Sequence, residues 1–285
     1  MSAAPGNPKP RPSFPASLDS TLASNRPSPR GALTQLGAAP VRLQTLSSAV
    51  QKASHVSTKA PTPQGLGMDS GAVRAAMVQK IAASGVSDAQ VLAAIGAVER
   101  HRFVDSALAN QAYEDTSLPI GLGQTISKPG VVARMAELLR NGRADKLGRV
   151  LEIGTGCGYQ AAVLSLLADE VYSIERLRGL HDKARDNLRA LRVPNLHLLF
   201  GDGMEGFAKG APYAAIISAA GGEAVPQAWI DQLAVGGRLV APLVVASNAG
   251  HGQAQALLVL DKTTQGIRRS ILEAVHFVPL KSGVA

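Results

Sequence analysis

The chain has 285 residues, of which 46% are apolar and 18% charged, and it carries a formal net charge of +8. That is enough apolar material for a sizeable core in one large domain or two small ones. No apolar run approaches the roughly 18 residues of a membrane span, no basic patch precedes an apolar run as in a secretory signal, and a lone cysteine, Cys157, excludes an intrachain disulfide, so a soluble, cytoplasmic protein is expected.

The charge is unevenly spread. Residues 1–67 hold seven lysines and arginines against one acid, Asp19, which makes a net +6. The basicity therefore belongs to an extension, and the rest of the chain gives no electrostatic reason to bind nucleic acid. The extension is rich in Pro, Ser, Ala and Gly, and its few large apolar residues cannot offset the entropy of ordering it; disorder is predicted. A helical pattern over 33–50 is interrupted by Pro40. Other readings are a basic arm touching nucleic acid or an acidic partner and an organelle transit peptide; no partner is assigned to it.

Order is expected from Met68 to the end. "DSGAVRAAMVQKIAASG" puts Val73, Met77, Val78 and Ile81 on one helix face. "SDAQVLAAIGAVER" opens with a Ser87/Asp88 cap and continues with Val91, Leu92, Ile95 and Val98 at helical spacing. Further on, "GLGQTISKPGVV" (121–132) is too polar for a core strand, and its two glycines, Gln, Thr and Ser suggest a binding segment. It leads into "PGVVARMAELLR", a helix with Pro129 in its first turn, where a missing amide hydrogen costs nothing, and a stop at Asn141 and Gly142.

From there short apolar runs alternate with amphipathic ones. "GRVLEIG", "EVYSIE", "NLHLLFGDG", "YAAIISAA" and "RLVAPLVV" read as strands; "YQAAVLSLLA", "LRGLHDKARDNLRAL" and "AVPQAWIDQLAVGG" read as helices, with Trp229 at core spacing to Val225 and Leu233. This predicts an α/β fold with a mostly parallel sheet covered by helices on both faces. Two strand-like runs about "TTQG" near the end predict an antiparallel edge.

The first of these strands runs into "EIGTGCGY", which places Gly154, Gly156 and Gly158 at its carboxyl end and at the start of a helix. In an open α/β sheet ligands sit there, because glycine lets a ligand approach the backbone and helix amides can face it. The spacing is G-x-G-x-G, not the dinucleotide G-x-G-x-x-G. The next strand ends in Glu175, which could accept from both hydroxyls of a ribose, and the third ends before Asp202, which could accept from an adenine amino group. Helix capping is the other reading of either acid. The six histidines show no H-x-x-x-H or H-x-H spacing, so no metal ligands are assigned.

These residues resemble the S-adenosylmethionine-binding pattern of the Rossmann-like class I methyltransferases. "LPIGLGQTIS", "VLEIGTGCGYQ", "GDG", "APYAAIISAA" and "VHFVPL" together resemble the protein-L-isoaspartate O-methyltransferase family over roughly residues 69–280. The resemblance implies methyl transfer from S-adenosylmethionine to the α-carboxyl of isoaspartyl residues in damaged proteins and peptides; a monomer is expected. It implies Ser127 as the active-site residue. Gln124, Thr125, Ile126, Ser127 and His276 would contact substrate, and Glu152, Gly154, Thr155, Gly156, Gly158, Glu175, Arg176, Asp202 and Gly203 would bind cofactor. Ser127 also reads as a plain helix N-cap. An RNA or small-molecule methyltransferase and a non-catalytic binding module with a basic tail are the alternatives. The chain departs from the family pattern at Lys128 and Gly130, where Gln and an aromatic or His are common, and at Cys157 and His276, where Ser and Arg are common.

Overall fold

A computed structural model of the chain describes residues 71–246 and 253–285. The extension expected to be disordered, with the pattern over 33–50, lies outside the described residues. Helix α1 (Gly71–Ala83) buries Met77 and Ile81, and α2 (Ala89–Ala97) buries Val91, Ala94 and Ile95. Asp88 caps α2 by accepting from the amides of Gln90 and Val91. Its second oxygen takes the buried Arg140 side chain at 2.8 Å, so the start of one helix is fastened to the end of another.

Two 3₁₀ turns lead to a hairpin of β1 (Leu118–Gly121) and β2 (Gln124–Ile126), which stands apart from the main sheet. The polar stretch predicted not to be a core strand is thus a strand pair without a core of its own. At its tip Gly121, Leu122 and Gly123 all have positive φ, which the glycines adopt freely and Leu122 does not. Helix α3 (Pro129–Arg140) begins at Pro129 and closes on Asn141 in the left-handed region, as expected. Its N-cap is Lys128, with no side-chain cap bond; Ser127 lies outside that role. Asp115 accepts from the Gly130 amide at 2.8 Å instead, and a Cβ on Gly130 would stand 2.9 Å from that same oxygen.

The main sheet contains β3 (Leu147–Ile153), β4 (Ala168–Glu175), β5 (Leu196–Phe200), β6 (Tyr213–Ser218), β7 (Leu233–Ala246), β8 (Gln253–Thr263) and β9 (Gly266–Val275), in the order β5-β4-β3-β6-β7-β8-β9. The first five run parallel and the last two antiparallel. Side chains alternate across it. Val150, Val171, Ala215 and Ile217 pack toward α3 and α4 (Tyr159–Leu167), with α5 (Arg178–Arg189) and the N-terminal helices covering the adjoining area. Leu151, Ile153, Ile174 and Ile216 pack on the other face, against Trp229 and Ile230 of α6 (Gln227–Gln232).

Helix α6 is shorter than the sequence predicts. The run "LAVGG", read as its C-terminal half, opens β7 instead, with Leu233 paired to Tyr213. The Lys262 ammonium reaches from β8 to the carbonyls of Ile230 and Leu233, both at 2.7 Å, supplying donors to helix-end carbonyls that would otherwise lack them.

Candidate active site

The chain builds β3, β4 and β5 outward in one direction and then returns to place β6 on the other side of β3. Loops leaving β3 and β6 must therefore part, which opens a crevice at the carboxyl ends of these strands. A cavity of about 280 Å³ occupies it. Its floor includes Gly154–Cys157 after β3, Ala219 and Ala220 after β6, Ile174–Leu177 at the end of β4, and Gly203 after β5. The hairpin closes one side with Ile120, Leu122 and Gln124–Ser127, and residues Val278–Lys281 close another. These last are tied on by paired backbone bonds between Gly221 and the Val278 and Leu280 peptides.

Glu175 organises the floor. It is 5% exposed; one carboxylate oxygen accepts from the Gly156 amide and the other from Leu177, both at 2.9 Å. A carboxylate offers about four lone-pair sites, so two remain for a ligand. The glycine loop faces away from the expected direction: the amides of Gly154 and Thr155 both donate to Ile174 O, that of Gly156 to Glu175, and that of Gly158 to Thr155 O. Most of the loop's N–H groups are consumed within the protein.

Beneath the loop lies a chain of polar groups. The Thr155 and Ser173 hydroxyls are 2.6 Å apart, and Ser173 donates to Glu152 Oε2 at 2.5 Å. Glu152 is fully buried, and burial pushes its carboxyl up to about 8 against the opposing Ser173 and Gln160 contacts. Burial likewise pushes the Cys157 thiol up to about 11 and the Tyr159 hydroxyl up to about 12. Cys157 is therefore a protonated, apolar element of the wall.

Residues 72–285 match the family described as Protein-L-isoaspartate(D-aspartate) O-methyltransferase (PCMT). The chain belongs to this family. A protein-L-isoaspartate O-methyltransferase of Methylibium petroleiphilum is 56% identical over 277 residues, covering 96% of this chain and 97% of the relative. One from Ralstonia nicotianae is 52% identical, covering 92% and 84%. A solved protein-L-isoaspartate O-methyltransferase structure is similar at a TM-score of 0.65 and 28% identity, over 74% of this chain and 67% of that one. A Plasmodium falciparum structure, described as a complex with S-adenosyl-L-homocysteine, shares the fold at a TM-score of 0.60 and 22% identity, over 72% of this chain and 97% of that one.

The cavity fits the adenosyl cofactor of the family. Its volume is near the lower end, about 300 Å³, of small-molecule sites, the floor is opened by Gly156 at a φ of 58°, and Glu175 keeps free lone pairs. Of the residues named from sequence, Gln124, Thr125, Ile126, Ser127, Gly154, Thr155, Gly156, Glu175, Arg176 and Gly203 meet in this one lining. The hydroxyl of Ser127 makes no hydrogen bond among the described residues.

Four named residues are not in the lining. Glu152 lies behind it, and Gly158 is the N-cap of α4, packed where a Cβ would stand 2.8 Å from Leu188. Asp202 caps the 3₁₀ turn at Gly203 through the Met204 amide and takes the Gly283 amide at 2.5 Å. His276 is exposed, while residues two to five positions on line the cavity. Sequence reasoning missed Tyr159, Gln160, Ala219 and Ala220. Their only local signal is that they follow immediately on strand ends and the glycine loop.

Proposed function

We infer that the protein transfers a methyl group from S-adenosylmethionine to the α-carboxyl of L-isoaspartyl residues in damaged proteins and peptides, the first step of their repair. What carries this reading is that the glycine loop with Glu175 and the Gln124–Ser127 segment line a single cavity. Bound there, S-adenosylmethionine supplies an electrophilic methyl carbon on a sulfonium. The acceptor carboxylate, with an ordinary pKa near 4, is ionised at neutral pH, so no general base is required. One carboxylate oxygen forms the new bond as the carbon–sulfur bond breaks, leaving a neutral thioether. The backbone amide nitrogen that follows then attacks the ester carbonyl with loss of methanol, and water reopens the resulting succinimide in part as aspartate.

The protein's contribution is alignment and exclusion of water, which can supply roughly 7 to 11 kcal/mol. We assign Ser127 to the acceptor: its unpaired hydroxyl donates to one carboxylate oxygen and leaves the other in line with the methyl carbon. Gln124, Thr125 and Ile126 form the adjoining wall. Gly154, Thr155, Gly156, Glu175, Arg176 and Gly203 hold the cofactor directly, with Glu152, Gly158 and Asp202 supporting that surface from behind. His276, exposed beside the Val278–Lys281 wall, would act only on the outer part of a peptide. We further propose that the enzyme is a cytoplasmic monomer; among the described residues no helix is long and apolar enough to cross a membrane.

The test is incubation with methyl-labelled S-adenosylmethionine and matched peptides carrying isoaspartate or aspartate. A base-labile labelled product from the isoaspartyl peptide alone is expected. Labelling of both peptides, or of neither, would refute the acceptor assignment.

A further inference from the structure

Gln160 is the one amide side chain of the cavity lining that is more than nine-tenths buried, and neither its Oε1 nor its Nε2 reaches hydrogen-bond geometry with any protein group, although Glu152 lies beside it. A buried amide left open on both ends is costly and calls for a ligand. Its neighbour Glu152 has the same defect: Oε2 is held by Ser173, while Oε1 has no partner. Both open groups sit where β3 passes into α4.

The position selects the part of the ligand. Glu175 at the end of β4 and Gly203 beyond β5 mark the adenosine side, and Ser127 marks the acceptor side. The region over β3, between them, is left for the amino-acid end of the cofactor. A carboxylate there needs donors. The backbone amides of Gly154, Thr155, Gly156 and Gly158 are already spent on Ile174, Glu175 and Thr155, and the Thr155 hydroxyl is paired with Ser173. Gln160 Nε2 is a side-chain donor that remains.

Resting on the methyltransferase reading above, we propose that Gln160 is the residue that binds the carboxylate of the cofactor's amino-acid end, through Nε2, with Glu152 behind it setting the orientation of the amide. Glu152 Oε1 accepts one Nε2 hydrogen, and that bond holds the second Nε2 hydrogen toward the cavity. The Glu152 bond and the ligand bond together satisfy Glu152 Oε1 and Gln160 Nε2. Gln160 acts on binding and positioning and takes no part in bond making.

The experiment is calorimetry with S-adenosylhomocysteine and with its decarboxylated analogue, which keeps the adenosine, sulfur and ammonium. Gln160→Leu is expected to weaken S-adenosylhomocysteine binding by about tenfold to a hundredfold, the loss typical of one hydrogen bond to a charged group. The analogue's affinity is expected to stay the same. Gln160→Asn, which shortens the side chain by one methylene and keeps an amide, is expected to show the same selective loss and carries the comparison should the Leu variant not fold. Equal loss for both ligands, or no loss for either, overturns the assignment while leaving the cofactor reading intact. A wild-type protein that binds neither ligand overturns both.

Discussion

Replacing Glu152 by Gln should make the protein more stable at neutral and alkaline pH and remove part of its pH dependence. The side chain is fully buried, and its carboxyl is pushed from an ordinary 4.5 to about 8. The unfolded chain releases this proton near pH 4.5, whereas the folded chain keeps it until about pH 8. Between those values the unfolded state binds fewer protons, so stability falls as pH rises, by at most about 1.4 kcal/mol per pH unit. Below pH 4.5 both states are protonated and the effect vanishes; above pH 8 it is complete and flat. The ceiling over the interval is roughly 5 kcal/mol, and relaxation around a buried ion makes roughly 2 to 3 kcal/mol the expected size. Gln at 152 keeps an oxygen for the Ser173 hydroxyl and never ionises. Urea denaturation of both proteins at pH steps from 5 to 9 reads the result, since titrations elsewhere cancel in the difference. The variant's advantage should be small at pH 5 and grow up to pH 8. Parallel stability curves across that range would show that Glu152 ionises normally and that burial does not hold its proton.

Ser127→Ala should lower turnover by about tenfold to a hundredfold, the cost of one charge-assisted hydrogen bond, while S-adenosylhomocysteine affinity changes by less than about twofold. Steady-state kinetics beside calorimetry checks this, and matched losses in both would place Ser127 with the cofactor. Removing residues 1–67 should leave methyl transfer and the melting temperature unchanged, because the core clusters described begin at Met77; a truncated protein that fails to fold would move the domain boundary.

The alternation of apolar runs and amphipathic helices was legible because its cause is local: side chains repeat with a period near 2 in a strand and 3.6 in a helix, and a covered parallel sheet demands both. The Asp88 cap of α2 and the Asn141 stop of α3 were legible for the same reason, whereas the start of α3 was not: Lys128, not Ser127, holds its N-cap position. So was the cluster Gly154, Gly156 and Glu175, since each follows a strand end and the strands share one rim. The end of α6 was not, because it depends on Lys262, some thirty residues away, reaching the last carbonyls.

Sequence alone therefore determined the order of the main-sheet elements, the family pattern and the rim that their strand ends share. Tertiary structure decided which side chains face that rim. Gly154–Gly156 turn their amides to β4, Asp202 turns to the Met204 and Gly283 amides, and His276 stays outside while Val278–Lys281 become a wall. Gln160 follows the glycine loop in sequence, yet only packing leaves its amide buried and open. The direction of a side chain and the partner that consumes a donor are set by segments that meet only after the chain has folded, and no local period encodes them.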